Sequence, residues 1–154
     1  MMNLSSEVIR CLAGKTLVTA ESCTGGGIGA ALTAVSGSSA VYKGGVISYT
    51  NEVKHQVLGV SQDVLDRYGA VSPWVAGEMA SGVRKLLKAD IAVSVTGLAG
   101  PGGDDRGNPV GTVYIGYEDA NKASVHRFCF TGDREAVRSQ AIYEAMKLIL
   151  QFNR

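Results

Sequence analysis

A serine and a threonine flank a cysteine in Ala20-Glu21-Ser22-Cys23-Thr24-Gly25-Gly26-Gly27, where a β-branched stretch gives way to three consecutive glycines. A turn of that composition exposes backbone N–H groups. A helix starting behind it adds positive potential, and the two together suit a phosphate or a developing oxyanion. Ser22 and Thr24 place hydroxyls in the same turn. A second glycine-rich loop, Thr96-Gly97-Leu98-Ala99-Gly100-Pro101-Gly102-Gly103, leaves a short apolar segment and lets a ligand approach the backbone closely. Thr96, Gly97 and Gly100 are its candidate contacts.

Between these loops lies Ser48-Tyr49-Thr50-Asn51-Glu52-Val53-Lys54. A lysine works as a general base only when its pKa falls from about 10.4 toward 7, which requires about 4–5 kcal/mol of differential stabilisation. Burial supplies shifts of that size. Taken alone, Lys54 reads as a solvated surface lysine. Near the C-terminus, Arg134 and Arg138 stand four apart and share a helical face. They either clamp a phosphate or carboxylate or pair with nearby acids.

Several familiar patterns fail on inspection. Gly25-x-Gly27-x-x-Ala30 fits a loose dinucleotide fingerprint, but the following strand ends Ser48-Tyr49-Thr50, without an acid for a ribose. Gly14-Lys15-Thr16 mimics the end of a phosphate-binding loop, yet Ile9 stands where glycine is needed and the segment enters a strand. Tyr49 and Lys54 are one residue too far apart for a Tyr-x-x-x-Lys pair. Cys23 has no histidine placed by sequence to activate it, and His55 and His126 lack metal spacing. Asp104 and Asp105 read as turn residues, so no metal is expected.

The elements that must position these residues follow from periodicity. Leu4 to Ala13 reads as a helix closed by Gly14, and Thr16 to Ala20 as a strand. Ile28, Ala31, Leu32 and Val35 carry a helical stripe. Val41 to Tyr49 forms a strand, Asn51 to Leu58 a helix, and Ser61 caps another. Ser72-Pro73 opens a helix marked by Val75, Met79, Val83, Leu86 and Leu87. Trp74, near that start, is expected to pack as core. Ile91 to Val95 reads as a buried central strand. Gly111 to Tyr117 and Ser124 to Phe130 form a hairpin, and Asp133 caps a closing helix. This order predicts one domain over residues 1–154, a three-layer α/β/α sandwich on a mixed, mostly parallel sheet with a late β-hairpin. Ligands bind at strand C-terminal ends in such sheets, so both glycine loops are expected on one crevice.

Composition narrows the partners. Of 154 residues, 45% are apolar and 19% charged, which excludes a disordered chain. Fifteen basic against fourteen acidic residues give a net charge of +1, so neither nucleic acid nor an anionic membrane is implied. No apolar run reaches the roughly 18–20 residues of a membrane span. Met1 to Arg10 lacks a secretory pattern, and Asn3-Leu4-Ser5 reads as a chance sequon. Three cysteines without a CxxC suit a reducing cytoplasm. The twenty glycines, about 13% against a usual 7% or so, are clustered in the turns described.

Together, Ala20 to Gly26, Ser48 to Lys54, Gly69-Ala70-Val71-Ser72, Thr96 to Gly103 with Pro109-Val110-Gly111-Thr112-Val113, and Gly132-Asp133-Arg134-Glu135-Ala136-Val137-Arg138 resemble the C-terminal domain of the competence-damage-inducible protein A (CinA) family, in its stand-alone form. The resemblance covers nearly the whole chain in motif order, with Leu98 where isoleucine is usual. It implies a bacterial amidohydrolase that converts nicotinamide mononucleotide to nicotinate mononucleotide and ammonia, without metal or cofactor, in pyridine-nucleotide recycling. It further implies Ser22 as nucleophile, Tyr49 and Lys54 as its activating partners, and Thr96 as a pocket residue. Arg134 or Arg138 would contact the substrate, with Thr24, Gly25 and Gly26 as further contacts, and the family's habit implies a homodimer or higher oligomer. The competing expectation is a nucleotide-binding or regulatory module that hydrolyses nothing; a redox enzyme ranks behind both.

Overall fold

A computed structural model describes residues 4–154; Asn3 of the sequon lies outside them. The helices are α1 (Leu4–Cys11), α2 (Gly27–Thr33), α3 (Asn51–Gln56), α4 (Gln62–Tyr68), α5 (Pro73–Leu87) and α6 (Arg134–Asn153). The strands are β1 (Leu17–Glu21), β2 (Tyr42–Ile47), β3 (Ile91–Gly97), β4 (Thr112–Glu118) and β5 (Ala123–Cys129). They form a five-stranded sheet in the order β2-β1-β3-β4-β5.

β1 pairs parallel to both β2 and β3, while β3–β4 and β4–β5 are antiparallel. The sheet is therefore mixed and mostly parallel: β2, β1, β3 and β5 run in one direction and β4 runs against them. The late hairpin β4–β5 accounts for this, because its first strand runs back along β3.

Alternation along the strands sends side chains into two cores. On one face Leu17, Ile91, Val93 and Val95 pack with Val8 and Leu12 of α1, Ile28 and Leu32 of α2, and Ala141, Ala145 and Ile149 of α6. On the other, Val18, Ala20 and Ala92 pack with Leu65 of α4 and Val75, Met79 and Val83 of α5. Helices thus cover both faces, which explains why every residue of central β1 is buried.

Helix starts are fixed by side-chain caps that remove orphan amides. Ser61, Ser72 and Asp133 accept from Val64, Val75 and Ala136 as their positions predict, and Thr50 does the same for α3. Two outward residues depart from expectation. Trp74 is 51% exposed and stacks on Tyr68 with ring centroids 3.9 Å apart, not in the core. Leu86 is also exposed. Both lie off the face of α5 that Val75, Met79 and Val83 turn to the sheet.

Parallel register brings the chemistry together. Glu21 lies opposite Ile47 on one side and Val95 on the other. The residues that follow, Ser22, Ser48 and Thr96, therefore emerge side by side at one end of the sheet. Ser22 donates its amide to the Val95 carbonyl at 2.9 Å, and Ser48 donates its amide to the Glu21 carbonyl at 2.8 Å. This is the end where open α/β sheets bind ligands.

Candidate active site

A cavity of about 590 Å³ opens there. Its lining includes Ser22 and Cys23 after β1, Tyr49, Asn51 and Lys54 after β2, and Thr96 to Gly100 at the end of β3 and just beyond it. The second glycine loop forms one wall, and Arg134 at the start of α6 closes a side. Both glycine loops thus reach one crevice, although Gly25 and Gly26 lie behind it.

Lys54 is the central feature. It is 1% exposed, and its Nζ donates to Ser22 Oγ at 2.9 Å, to the Ser48 carbonyl at 2.7 Å and to the Tyr49 carbonyl at 3.5 Å. An ammonium carries three N–H donors, so these three acceptors occupy it. When the amine is neutral, two N–H groups remain for the carbonyls and its lone pair faces Ser22. Burial lowers the Lys54 pKa from 10.5 to about 8, against a smaller opposing contribution from Cys23. At neutral pH, roughly a tenth of the molecules then hold the amine as a free base. Among the described residues, no carboxylate neutralises it within hydrogen-bond range, which leaves desolvation unopposed by an ion pair.

The neighbouring thiol follows the same physics with the opposite outcome. Cys23 is buried, and desolvation pushes its pKa up to about 11. It is a protonated thiol near neutrality and a poor nucleophile.

The two arginines of the last motif divide their work. Arg134 donates to the Gly100 carbonyl at 2.7 Å and to the Tyr49 hydroxyl at 2.9 Å, at the cavity wall. Arg138 donates to the carbonyls of Cys23 and Thr24, both at 3.0 Å, and braces the first turn from behind. Tyr49 is 58% exposed, and its hydroxyl bonds Arg134 rather than Ser22 or Lys54. What Tyr49 offers Lys54 is its backbone carbonyl.

Other predicted contacts also stand behind the cavity. Thr24 is fully buried and donates its hydroxyl to Glu21 Oε1 at 2.8 Å. Gly25 and Gly26 adopt φ values of 61° and 97°, a left-handed turn that side chains rarely tolerate. The Gly25 amide is spent on the Ser22 carbonyl and the Gly27 amide on the Thr24 carbonyl. Thr96 lines the cavity, with its hydroxyl donated to the Ala70 carbonyl at 2.8 Å. Gly97 and Gly100 line it as well.

Asp66, Asp104, Asp105 and Arg106 also line the cavity and had no place in the sequence argument as contacts. Arg106 donates to the carbonyls of Asp66 at 2.6 Å and Arg67 at 2.7 Å, tying the second loop to the end of α4. Asp104 organises its own turn, accepting from the amides of Arg106 and Asn108 and from Asn108 Nδ2. Burial raises its pKa, but these hydrogen bonds outweigh it and hold the carboxyl below the usual range. Spacing in the glycine loop marks a turn, and nothing in α4 distinguishes Asp66 from a solvated acid. Among the described residues, no group of three or more His, Cys, Asp or Glu is arranged to hold a metal ion. None of the described helices is long and apolar enough to cross a membrane.

Known proteins match this sequence and this fold. Residues 2–153 fit the family model of the CinA C-terminal domain. The Escherichia coli K12 nicotinamide-nucleotide amidohydrolase PncC is 44% identical over 154 residues, covering 98% of this chain and 93% of that protein. A putative competence-damage inducible protein of Caldanaerobacter subterraneus is 44% identical over 139 residues, but this chain spans only 34% of its length. Among solved structures, the Klebsiella pneumoniae competence damage-inducible protein A superposes with a TM-score of 0.94 at 41% identity, covering 96% of this chain and 93% of that one. The competence/damage inducible protein CihA of Agrobacterium tumefaciens gives a TM-score of 0.95 at 37% identity, with 98% and 94% covered. The chain described here belongs to the CinA C-terminal domain family.

Proposed function

We infer that the protein hydrolyses the carboxamide of nicotinamide mononucleotide, with Ser22 as nucleophile and Lys54 as its base. The observation that carries this reading is the 2.9 Å contact between Lys54 Nζ and Ser22 Oγ inside a buried site. The near-full-length similarity to a nicotinamide-nucleotide amidohydrolase supplies the substrate.

The neutral amine of Lys54 takes the Ser22 proton as Oγ attacks the carboxamide carbon. The Ser48 and Tyr49 carbonyls keep that amine aimed in both protonation states. Collapse of the tetrahedral intermediate breaks the C–N bond. The Lys54 ammonium returns its proton to the leaving nitrogen, which departs as ammonia. Water then adds to the Ser22 ester, giving up a proton to Lys54, and the acid leaves with Ser22 restored. The Gly25 and Gly27 amides are already bonded within the turn, so the oxyanion's donors are assigned to the cavity-lining backbone along Ala99–Gly100. Each such donor is worth about 2.7–4 kcal/mol in the transition state.

The substrate carries a cationic pyridinium and an anionic phosphate, and the cavity carries both signs. Asp66 and Asp105 suit the ring and the ribose hydroxyls, while Arg134 holds the phosphate. Arg138, committed to the first turn, takes no part in binding. Incubating the purified protein with the mononucleotide and a chelator, and following ammonia and acid mononucleotide in equal amounts, tests this. Tight binding without ammonia would instead make it a binding module.

A further inference from the structure

Glu21, immediately before Ser22, has no part in the chemistry above, yet its carboxylate is buried and fully partnered. The side chain sits on a residue 2% exposed. Oε1 accepts from Thr24 Oγ1 and from the Ile28 amide, both at 2.8 Å. Oε2 accepts from the Gly29 amide at 3.0 Å and from Thr19 Oγ1 at 3.1 Å. Four donors on two oxygens meet the demands of a buried carboxylate.

The arrangement replaces a missing cap. Gly26 occupies the N-cap position of α2 and has no side chain to accept from the first turn. Ile28 and Gly29 offer the second and third amides of that helix, which an N-cap side chain ordinarily takes. Glu21 takes them from the end of β1 instead. The same carboxylate thereby ties the strand, the Thr24 hydroxyl and the helix start into one closed turn around Ser22.

Space is kept open for it. A Cβ on Gly29 would lie 2.7 Å from the Tyr42 hydroxyl and 3.5 Å from Glu21 Oε2. One on Gly45 would also meet the Tyr42 hydroxyl at 2.7 Å. That hydroxyl lies 2.7 Å from Thr19 Oγ1, and because Thr19 donates to Glu21, Tyr42 donates to Thr19.

The backbone of Glu21 reaches the other half of the dyad. Its carbonyl accepts from the Ser48 amide at 2.8 Å, and the Ser48 carbonyl in turn accepts from Lys54 Nζ at 2.7 Å. One residue therefore anchors the turn that carries the nucleophile and the strand end that aims the base.

We propose that Glu21 is a positioning residue for the hydrolysis, its carboxylate closing the Ser22–Gly27 turn from inside so that Ser22 Oγ stays within hydrogen-bond reach of Lys54. This rests on the Ser22–Lys54 amidase reading. The side chain of Glu21 bonds neither Ser22 Oγ nor Lys54 Nζ and does not line the cavity, so it acts through the turn, on kcat and not on KM.

The test compares Glu21→Gln, Thr24→Val and Thr24→Ser with the parent. It measures kcat and KM on nicotinamide mononucleotide, thermal unfolding, and the rate at which phenylmethanesulfonyl fluoride labels Ser22. Misplacing a reacting group by a fraction of an ångström lowers kcat on the order of tenfold to a hundredfold. That loss is expected in folded Glu21→Gln and Thr24→Val, with KM within about twofold of the parent and labelling slowed in parallel. Thr24→Ser keeps the hydroxyl and is expected to recover to within about threefold. The proposal is overturned if either folded variant keeps parental kcat and labelling, or if Thr24→Ser is as impaired as Thr24→Val. Should Glu21→Gln not fold, the Thr24 pair decides. A parent that labels without releasing ammonia sinks the substrate assignment alone, and the labelling rates then decide the role of Glu21. A parent that does neither overturns both.

Discussion

Lys54 Nζ reaches Ser22 Oγ across 32 residues of chain, at 2.9 Å, with Lys54 1% and Ser22 7% exposed. Neither end of this contact moves freely. Ser22 is fixed by the hydrogen bond from its amide to the Val95 carbonyl and by a turn that Arg138 braces from behind, while Lys54 sits one helical turn after the Thr50 cap. Burial of the amine and proximity of the hydroxyl therefore arise from the same packing, and the fold itself holds the proposed base against the proposed nucleophile.

The first expected consequence is a pH profile. Lys54 acts as a base only when neutral, and its pKa is lowered to about 8. The kcat/KM for the mononucleotide should rise about tenfold per pH unit below that point and level off above it. Steady-state rates between pH 6 and 10 check this. A flat profile from 6 to 9 would contradict a lysine base.

Stability should carry the same signature with a determined sign. The folded pKa of about 8 lies below the ordinary 10.5, so below pH 8 the folded protein bears a buried charge that the unfolded chain solvates. That disfavours folding by about 3 kcal/mol, and the deficit disappears as pH rises from 8 to 10.5. Lys54→Met removes the charge but leaves the Ser48 carbonyl without its donor, a loss of about 1–3 kcal/mol. The variant's stability relative to the parent should therefore be highest near pH 7 and fall by about 3 kcal/mol by pH 10.5. Urea unfolding at both pH values measures it. A difference independent of pH would show that Lys54 is not desolvated.

Arg134 and Arg138 should fail differently. Arg134→Ala should raise KM for the mononucleotide on the order of tenfold to a hundredfold, the worth of a charge-assisted contact to phosphate. It should change KM little for the uncharged riboside. Arg138→Ala, which loosens the turn through Cys23 and Thr24, should lower kcat for both. Kinetics on the two substrates separate these effects, and equal KM changes for both would remove Arg134 from the phosphate.

The sequence carries the frame of this site more clearly than its details. The two glycine loops, the capped helix starts at Ser61, Ser72 and Asp133 and the strand ends all follow from local chemistry, because turns and caps are local events. Lys54 does not: on a six-residue helix it reads as a surface lysine until the sheet brings Ser22 and the Ser48 carbonyl against it. Arg134 and Arg138 share a helical face, yet the first reaches Gly100 and the second the Ser22 turn, a division set by which loop packs above each. Thr24 points inward onto the carboxylate of Glu21, three residues before it, so its hydroxyl is spent inside the turn and not on a ligand. Arg106 meets the end of α4 across 39 and 40 residues, and spacing has no means of recording such a contact.

Ammonia release from nicotinamide mononucleotide at pH 8.5, compared among the parent, Ser22→Ala and Lys54→Met, tests the central claim most directly. Turnover by the parent, with each variant reduced on the order of a thousandfold or more as expected for loss of a nucleophile or its base, is the predicted result. Near-parental ammonia release by folded Ser22→Ala or Lys54→Met would contradict the Ser22–Lys54 dyad.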